Sequence, residues 1–240
     1  MLEVFPGPSP ENAALRVHAT VAASGRERPA VVALPGLGLS GDYLVPLALA
    51  LAPELRTYVV DPPRSGSAQQ LAKLVDQWLE ANGLDDVVLY GNSFGSEIAL
   101  EAALLPGTRV RGVVLGAPTP DPSARSFARQ AGRLAHAAAL APPRMVAIAA
   151  RDYARTGLRR LLRQGRAALA EPIEKRLPLL GLPALVVRGS RDPVVPQRWA
   201  EQAARLARAE LAVVEGAAHA CPFSHPAELA GLIVEFSARI

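Results

Sequence analysis

Cysteine is nearly absent from this 240-residue chain: Cys221 stands alone, which excludes an intramolecular disulfide and points to a reducing compartment. Aromatic residues are scarce at 5%, so the hydrophobic half of the composition is carried by Ala, Leu and Val. No apolar run is long enough to cross a bilayer; the longest are about ten residues and are broken by Pro or Gly, against about twenty for a spanning helix. The N-terminal MLEVFPGPSPENAAL has no basic stretch leading into an apolar core, so no signal peptide is expected and the expected location is cytoplasmic. The sequence shows no metal-ligand spacing, so neither a metal nor an organic cofactor is expected.

What is present begins with charge. The net charge is +4, but residues 119–178 hold 12 Lys+Arg and 4 Asp+Glu, leaving 14 and 18 for the rest. A uniformly basic chain would suggest nucleic acid. Here the excess sits in one segment without aromatic interleaving or a recognised motif, so no nucleic-acid partner is expected.

Short β-branched runs recur: RVHATVAA (16–23), PAVVALPG (29–36), LRTYVVDP (55–62), DDVVLYGN (85–92), VRGVVLGA (110–117), LPALVVRG (182–189) and AELAVVEG (209–216). Several are continuously apolar, as strands buried on both faces are. Helix-like segments such as AQQLAKLVDQWLEANGL, SFGSEIALEAALL and QRWAEQAARLA lie between most of them. This alternation predicts right-handed crossovers and a mostly parallel, doubly wound α/β sheet in one domain. One interval breaks it. Residues 119–178, the basic segment, carry no strand pattern and read as three or four Pro-punctuated helices, a helical insertion rather than a loop. Within it Arg125, Arg129 and Arg133 fall four apart, a spacing that predicts one exposed helix face.

Gly91-Asn92-Ser93-Phe94-Gly95 follows the strand VVLY and precedes a helical run. A sharp strand-to-helix turn needs small flanking residues, and it lifts the serine hydroxyl above the carboxyl ends of the strands. A serine is a weak nucleophile without a base and an orienting acid. Of four histidines, His219 (GAAHACPF) follows the last strand directly, whereas His225, before Pro226, reads as a helix-entry residue. Asp192, in GSRDPVVP past the strand LPALVVRG, is the expected acid, with Asp121 in APTPD as runner-up. The loop LPGLGLSGDY (34–43) follows another strand, and its glycines allow a backbone amide to face the nucleophile. The main-chain N–H groups of Leu37 and Phe94 are the expected oxyanion donors.

LPGLG, VVDPPRSGSA, GNSFG, GSRDPVVP and GAAHACPF, in this order on these elements, resemble the α/β-hydrolase superfamily over nearly the whole chain. The resemblance implies a hydrolase core of residues 1–118 and 179–240 and a helical cap at 119–178 that roofs the site. It implies a carboxylesterase-like serine hydrolase acting on an ester, lactone or thioester, a small molecule that the basic cap could select for negative charge. Two features depart from the family's pattern: Pro35-Gly36 where many relatives have histidine-glycine, and Ser96 where a second glycine is frequent.

Asn92 before the serine is similar to hydrolases that split carbon–carbon bonds, but those commonly carry Trp after the histidine, where this chain has Ala220. That reaction stays as an alternative, as does a catalytically silent ligand-binding protein on the same fold. Gly36 and Phe223 are expected to touch substrate and Cys221 to be a packing residue, while Trp78 and Trp199 read as core. Neither a role for Asn92 nor the oligomeric state follows from the sequence.

Overall fold

The β-branched runs become strands because their side chains are apolar on both faces, which only a sheet covered on both sides satisfies. In the computed structural model, which describes residues 2–5, 16–20 and 29–240, the strands are β1 (Leu2–Phe5), β2 (Arg16–Thr20), β3 (Val31–Leu34), β4 (Thr57–Asp61), β5 (Val87–Asn92), β6 (Val110–Gly116), β7 (Ala184–Gly189) and β8 (Glu210–Val214). They form one sheet in the order β1-β2-β4-β3-β5-β6-β7-β8, antiparallel at the first two pairings and parallel from β4 to β8. Every residue of β3, β5 and β7 is buried. All seven expected strands are present; residues 21–23 of the first lie outside the described residues. The strand β1 was not expected.

Helices cover both faces: α1 (Val45–Leu51), α2 (Ala68–Ala81), α3 (Phe94–Ala103), α8 (Gln197–Ala207), α9 (Cys221–Ser224) and α10 (Pro226–Arg239). One apolar cluster packs α2, α3 and α8 against the sheet; a second packs α1 and α10 on the other side. Trp78 sits edge-on to Tyr58 at 5.6 Å, and Trp199 donates from Nε1 to the Pro118 carbonyl at 2.8 Å. Both indoles are buried.

Between β6 and β7 run α4 (Phe127–Leu140), α5 (Pro143–Thr156), α6 (Leu158–Ala170) and α7 (Ile173–Arg176). Pro143 at the first position of α5, Gly157 at the α5–α6 junction and Pro172 just before α7 set their boundaries. The spacing of Arg125, Arg129 and Arg133 does not produce one exposed face. The helix begins two residues after Arg125, which instead reaches Glu174 at 2.5 Å and the Glu171 carbonyl at 2.9 Å. Arg133 is drawn inward to Asp121 at 3.0 Å and the Val194 carbonyl at 3.2 Å. Only Arg129 is exposed.

Sheet register positions the site. Leu34 pairs with Gly91, so the loops leaving β3 and β5 emerge side by side. Gly189 pairs with Val214, so the loops leaving β7 and β8 do the same. All four leave from carboxyl ends, where open parallel sheets hold their ligands.

Candidate active site

Ser93 joins β5 to α3 with φ 56° and ψ −123°, a left-handed conformation that costs a non-glycine residue of order 1–3 kcal/mol. The fold imposes it by close approach. A Cβ on Gly91 would strike the backbone of Gly95, and one on Gly95 would strike the carbonyls of Leu34 and Pro35. The Ser93 N–H donates to the Gly116 carbonyl at 2.8 Å. The Ser96 hydroxyl lies 2.8 Å from both the Gly91 and Gly116 carbonyls, so the residue that departs from the second-glycine pattern ties the turn to β6.

The acid and the histidine meet. Nδ1 of His219 is 2.8 Å from Oδ2 of Asp192. The other carboxylate oxygen accepts the Val194 and Val195 amides at 2.8 and 3.2 Å, which fixes its plane. Gly189 makes the crossing possible, since a Cβ there would run into the Ala217 carbonyl. Buried Arg188 braces the turn from beneath, donating to the carbonyl of Val195 at 3.0 Å and to that of Asp192 at 3.3 Å. Nε2 of His219 is buried and has no hydrogen-bond partner, so the Ser93 hydroxyl is not bonded to it in this state. Catalytic hydrogen bonds are often loose before substrate binds.

Asp121, the alternative acid, is committed elsewhere: to Ser123, at 2.9 Å from its amide and 2.8 Å from its hydroxyl, and to Arg133 and Arg198. His225 caps α10 and shares a 2.9 Å hydrogen bond with the Ser224 hydroxyl, away from the cavity.

Ser93 and His219 face a cavity of about 530 Å³, as do Gly36, Leu37, Asn92 and Phe94. Phe223 does not line it. α9 starts at Cys221, two residues after His219, and Phe223 packs with the second core cluster instead. Among the described residues neither the Leu37 nor the Phe94 amide is used by another hydrogen bond, and Phe94 opens α3, where helix N–H groups lack internal partners. The roof is apolar. Leu134 of α4, Ala149 and Tyr153 of α5, and Leu158, Leu161 and Leu162 of α6 line it, although Leu134, Tyr153 and Leu158 are also solvent-exposed. Arg144, Arg155, Arg159, Arg160, Arg163 and Arg166 of the same helices are exposed.

Residues 31–232 match the model of the alpha/beta hydrolase family. The chain belongs to this family. It is 27% identical to a pimeloyl-(acyl-carrier protein) methyl ester esterase of Photorhabdus laumondii, over 87% of this chain and 92% of that protein. It is 32% identical to the polyketide synthase ThaQ of Burkholderia thailandensis over 84% of its own length, but it spans only 11% of that protein. A hydrolase from Pseudomonas aeruginosa has the same fold, with a TM-score of 0.74 at 21% identity over 98% of this chain and 97% of that one. No helix among the described residues is long and apolar enough to cross a membrane.

In this α/β hydrolase the loop that lacks the family's histidine is braced by Tyr43. Its buried hydroxyl accepts the Gly36 N–H at 2.8 Å and the Asn92 Nδ2–H at 3.2 Å, while Tyr90 donates to Asn92 Oδ1 at 3.3 Å. Asn92 thus links the nucleophile turn to the Gly36 loop. Burial holds the Tyr43 phenol well above its ordinary value, so it stays neutral. Further along the loop, Ser40 donates its amide at 2.8 Å and its hydroxyl at 2.5 Å to Oδ2 of Asp152 on α5. Arg151 spans Asp152 at 3.0 Å and Asp42 at 2.5 Å, and the Thr156 hydroxyl donates to the Gly38 carbonyl at 3.1 Å. The loop is therefore latched to the cap. Gly36 and Asn92 apart, none of these partners was singled out from sequence; they lie up to 118 residues apart and share no local motif.

Proposed function

We propose that this protein is a serine hydrolase that cleaves a carboxylic ester or thioester of an apolar acyl chain through an acyl-enzyme. The observation that carries the reading is His219, held at 2.8 Å by buried Asp192, lining the same cavity as Ser93 on its strained turn. His219 Nε2 takes the Ser93 hydroxyl proton as Oγ attacks the carbonyl carbon. Asp192 holds the imidazole tautomer and supports the imidazolium. The developing oxyanion accepts hydrogen bonds from the Leu37 and Phe94 amides. His219 returns its proton to the leaving alcohol or thiol, then activates the water that releases the acid.

The apolar roof supports a hydrocarbon acyl group, and a relative named as a methyl ester esterase supports an ester bond. The exposed arginines of α5 and α6 give these helices a positive surface that favours an anionic substrate or carrier. Hydrolysis of p-nitrophenyl esters of graded acyl length, by wild type and by Ser93→Ala and His219→Ala, tests the reading. Medium-chain turnover lost by about 10³-fold or more in both variants supports it; equal rates in all three proteins would remove it. Raising ionic strength should lower kcat/KM for anionic esters only.

A further inference from the structure

Glu97 is a charged residue in an unfavourable place. It lies one helical turn beyond Ser93 on α3, about 6 Å along the axis and on the same side, since residues four apart stack. It is only 3% exposed, lines the acyl cavity, and neither carboxyl oxygen has a hydrogen-bond partner. Thr119 stands near enough to favour the charged form slightly without reaching hydrogen-bond geometry.

The cations around it make their hydrogen bonds to other groups, although the buried Arg125 Nε–H has no partner. Arg176 grips Glu101 with two bonds of 2.7 Å, and Arg125 holds Glu174 and the Glu171 carbonyl. Glu101, Glu171 and Arg176 share a small recess on the far side of Glu97. Burial first, then the Glu171 and Glu101 carboxylates, hold the Glu97 carboxyl well above the ordinary range, with Arg125 opposing. That environment favours the neutral acid, whose carboxyl carries one O–H donor. A leucine would fill the same space without an orphaned polar group, so packing does not account for a carboxyl here.

Resting on the serine-hydrolase reading above, we propose that Glu97 is a polar subsite within the acyl cavity. Its carboxyl donates a hydrogen bond to a ketone or hydroxyl oxygen carried part-way along the substrate's acyl chain. An otherwise hydrocarbon pocket with one buried unpaired donor discriminates strongly, because an acyl chain lacking the oxygen leaves that donor unsatisfied. The natural substrate class is accordingly an oxygenated acyl ester or thioester rather than a plain fatty ester.

The test walks a ketone along the chain. Kinetics with p-nitrophenyl octanoate and its 3- to 7-oxo isomers are paired with calorimetric binding of the matching, non-hydrolysed octanamides, in wild type, Glu97→Gln and Glu97→Leu. Wild type should prefer one oxo isomer over the plain chain by about 10- to 100-fold. Glu97→Gln, which keeps a donor, should retain most of that preference, and Glu97→Leu should bring it within about twofold. In wild type the preference should fall as pH rises and the carboxyl ionises, while Glu97→Gln stays flat, a comparison that stands even if Glu97→Leu does not fold. No preferred isomer in wild type, an undiminished preference in folded Glu97→Leu, or failure of every amide to bind overturns the subsite. Esters cleaved without oxo preference sink the subsite alone. Glu97-dependent amide binding without ester cleavage sinks the hydrolase reading alone.

Discussion

Replacing Tyr43 by Phe removes one oxygen and nothing else, yet that oxygen accepts from both Gly36 and Asn92. The ring is fully buried, so water cannot replace it. Two donors lose their acceptor. An orphaned buried donor costs about 1–3 kcal/mol, and the 3.2 Å bond to Asn92 is the weaker of the two, so the total is about 2–4 kcal/mol. For a chain of this size that lowers Tm by roughly 5–12 °C. The kinetic effect follows from position: Gly36 precedes Leu37, whose amide is proposed to face the oxyanion. Losing such a donor outright costs about 10²–10³ in kcat, and a loosened one about 10-fold, with KM little changed. Tyr90→Phe is the control, because it removes only the 3.3 Å bond to Asn92 and leaves the Gly36 brace intact. Denaturant unfolding and ester kinetics on both variants decide the matter. Wild-type kcat and Tm in Tyr43→Phe would refute the brace.

Other perturbations probe the cap latch, the acid and the thiol. Asp152→Asn should destabilise by about 2–3 kcal/mol in denaturant unfolding at pH 7, because it removes the charge that Ser40 and Arg151 share. Burial raises the Asp152 carboxyl, but the hydrogen bonds from Ser40 and Arg151 outweigh it and hold the group below its usual value. Its contribution is therefore present above the unfolded value near 4 and lost as pH falls through the lower folded one, so wild type and variant should converge only in acid below that. Asp192→Asn can keep the Val194 and Val195 amide bonds while losing the charge that orients His219; kcat for esters should fall by about 10³–10⁴-fold with the fold intact by circular dichroism. Cys221 is buried, and burial, then Glu228 and Asp192, push its thiol up to about 12. Iodoacetamide at pH 8 should modify it in urea but not in native protein, and rapid native labelling would contradict that assignment.

The strands were legible because both-face burial leaves continuous apolar runs, and α8 lies at the very residues of QRWAEQAARLA. The loops carrying Ser93, Asp192 and His219 were legible because parallel strands fix where such loops must emerge. The strand β1 was missed: LEVF is four residues long, ends at Phe5 and joins by antiparallel pairing without a helix to announce it. Arg125, Arg129 and Arg133 misled because spacing says nothing of where a helix begins or which acid waits across the groove. Tyr43, Asp152 and Glu97 gain their roles from neighbours distant in sequence. Glu97 alone left a trace, a carboxylate inside the apolar stretch SFGSEIALEAALL one turn past Ser93.

The central claim is that Ser93 is a nucleophile activated by His219. A fluorophosphonate probe followed by peptide mass spectrometry tests it most directly. The account predicts stoichiometric labelling of wild type on Ser93, labelling slowed at least about 100-fold in folded His219→Ala, and none in Ser93→Ala. Absence of labelling in wild type, or equal labelling in Ser93→Ala, would contradict it.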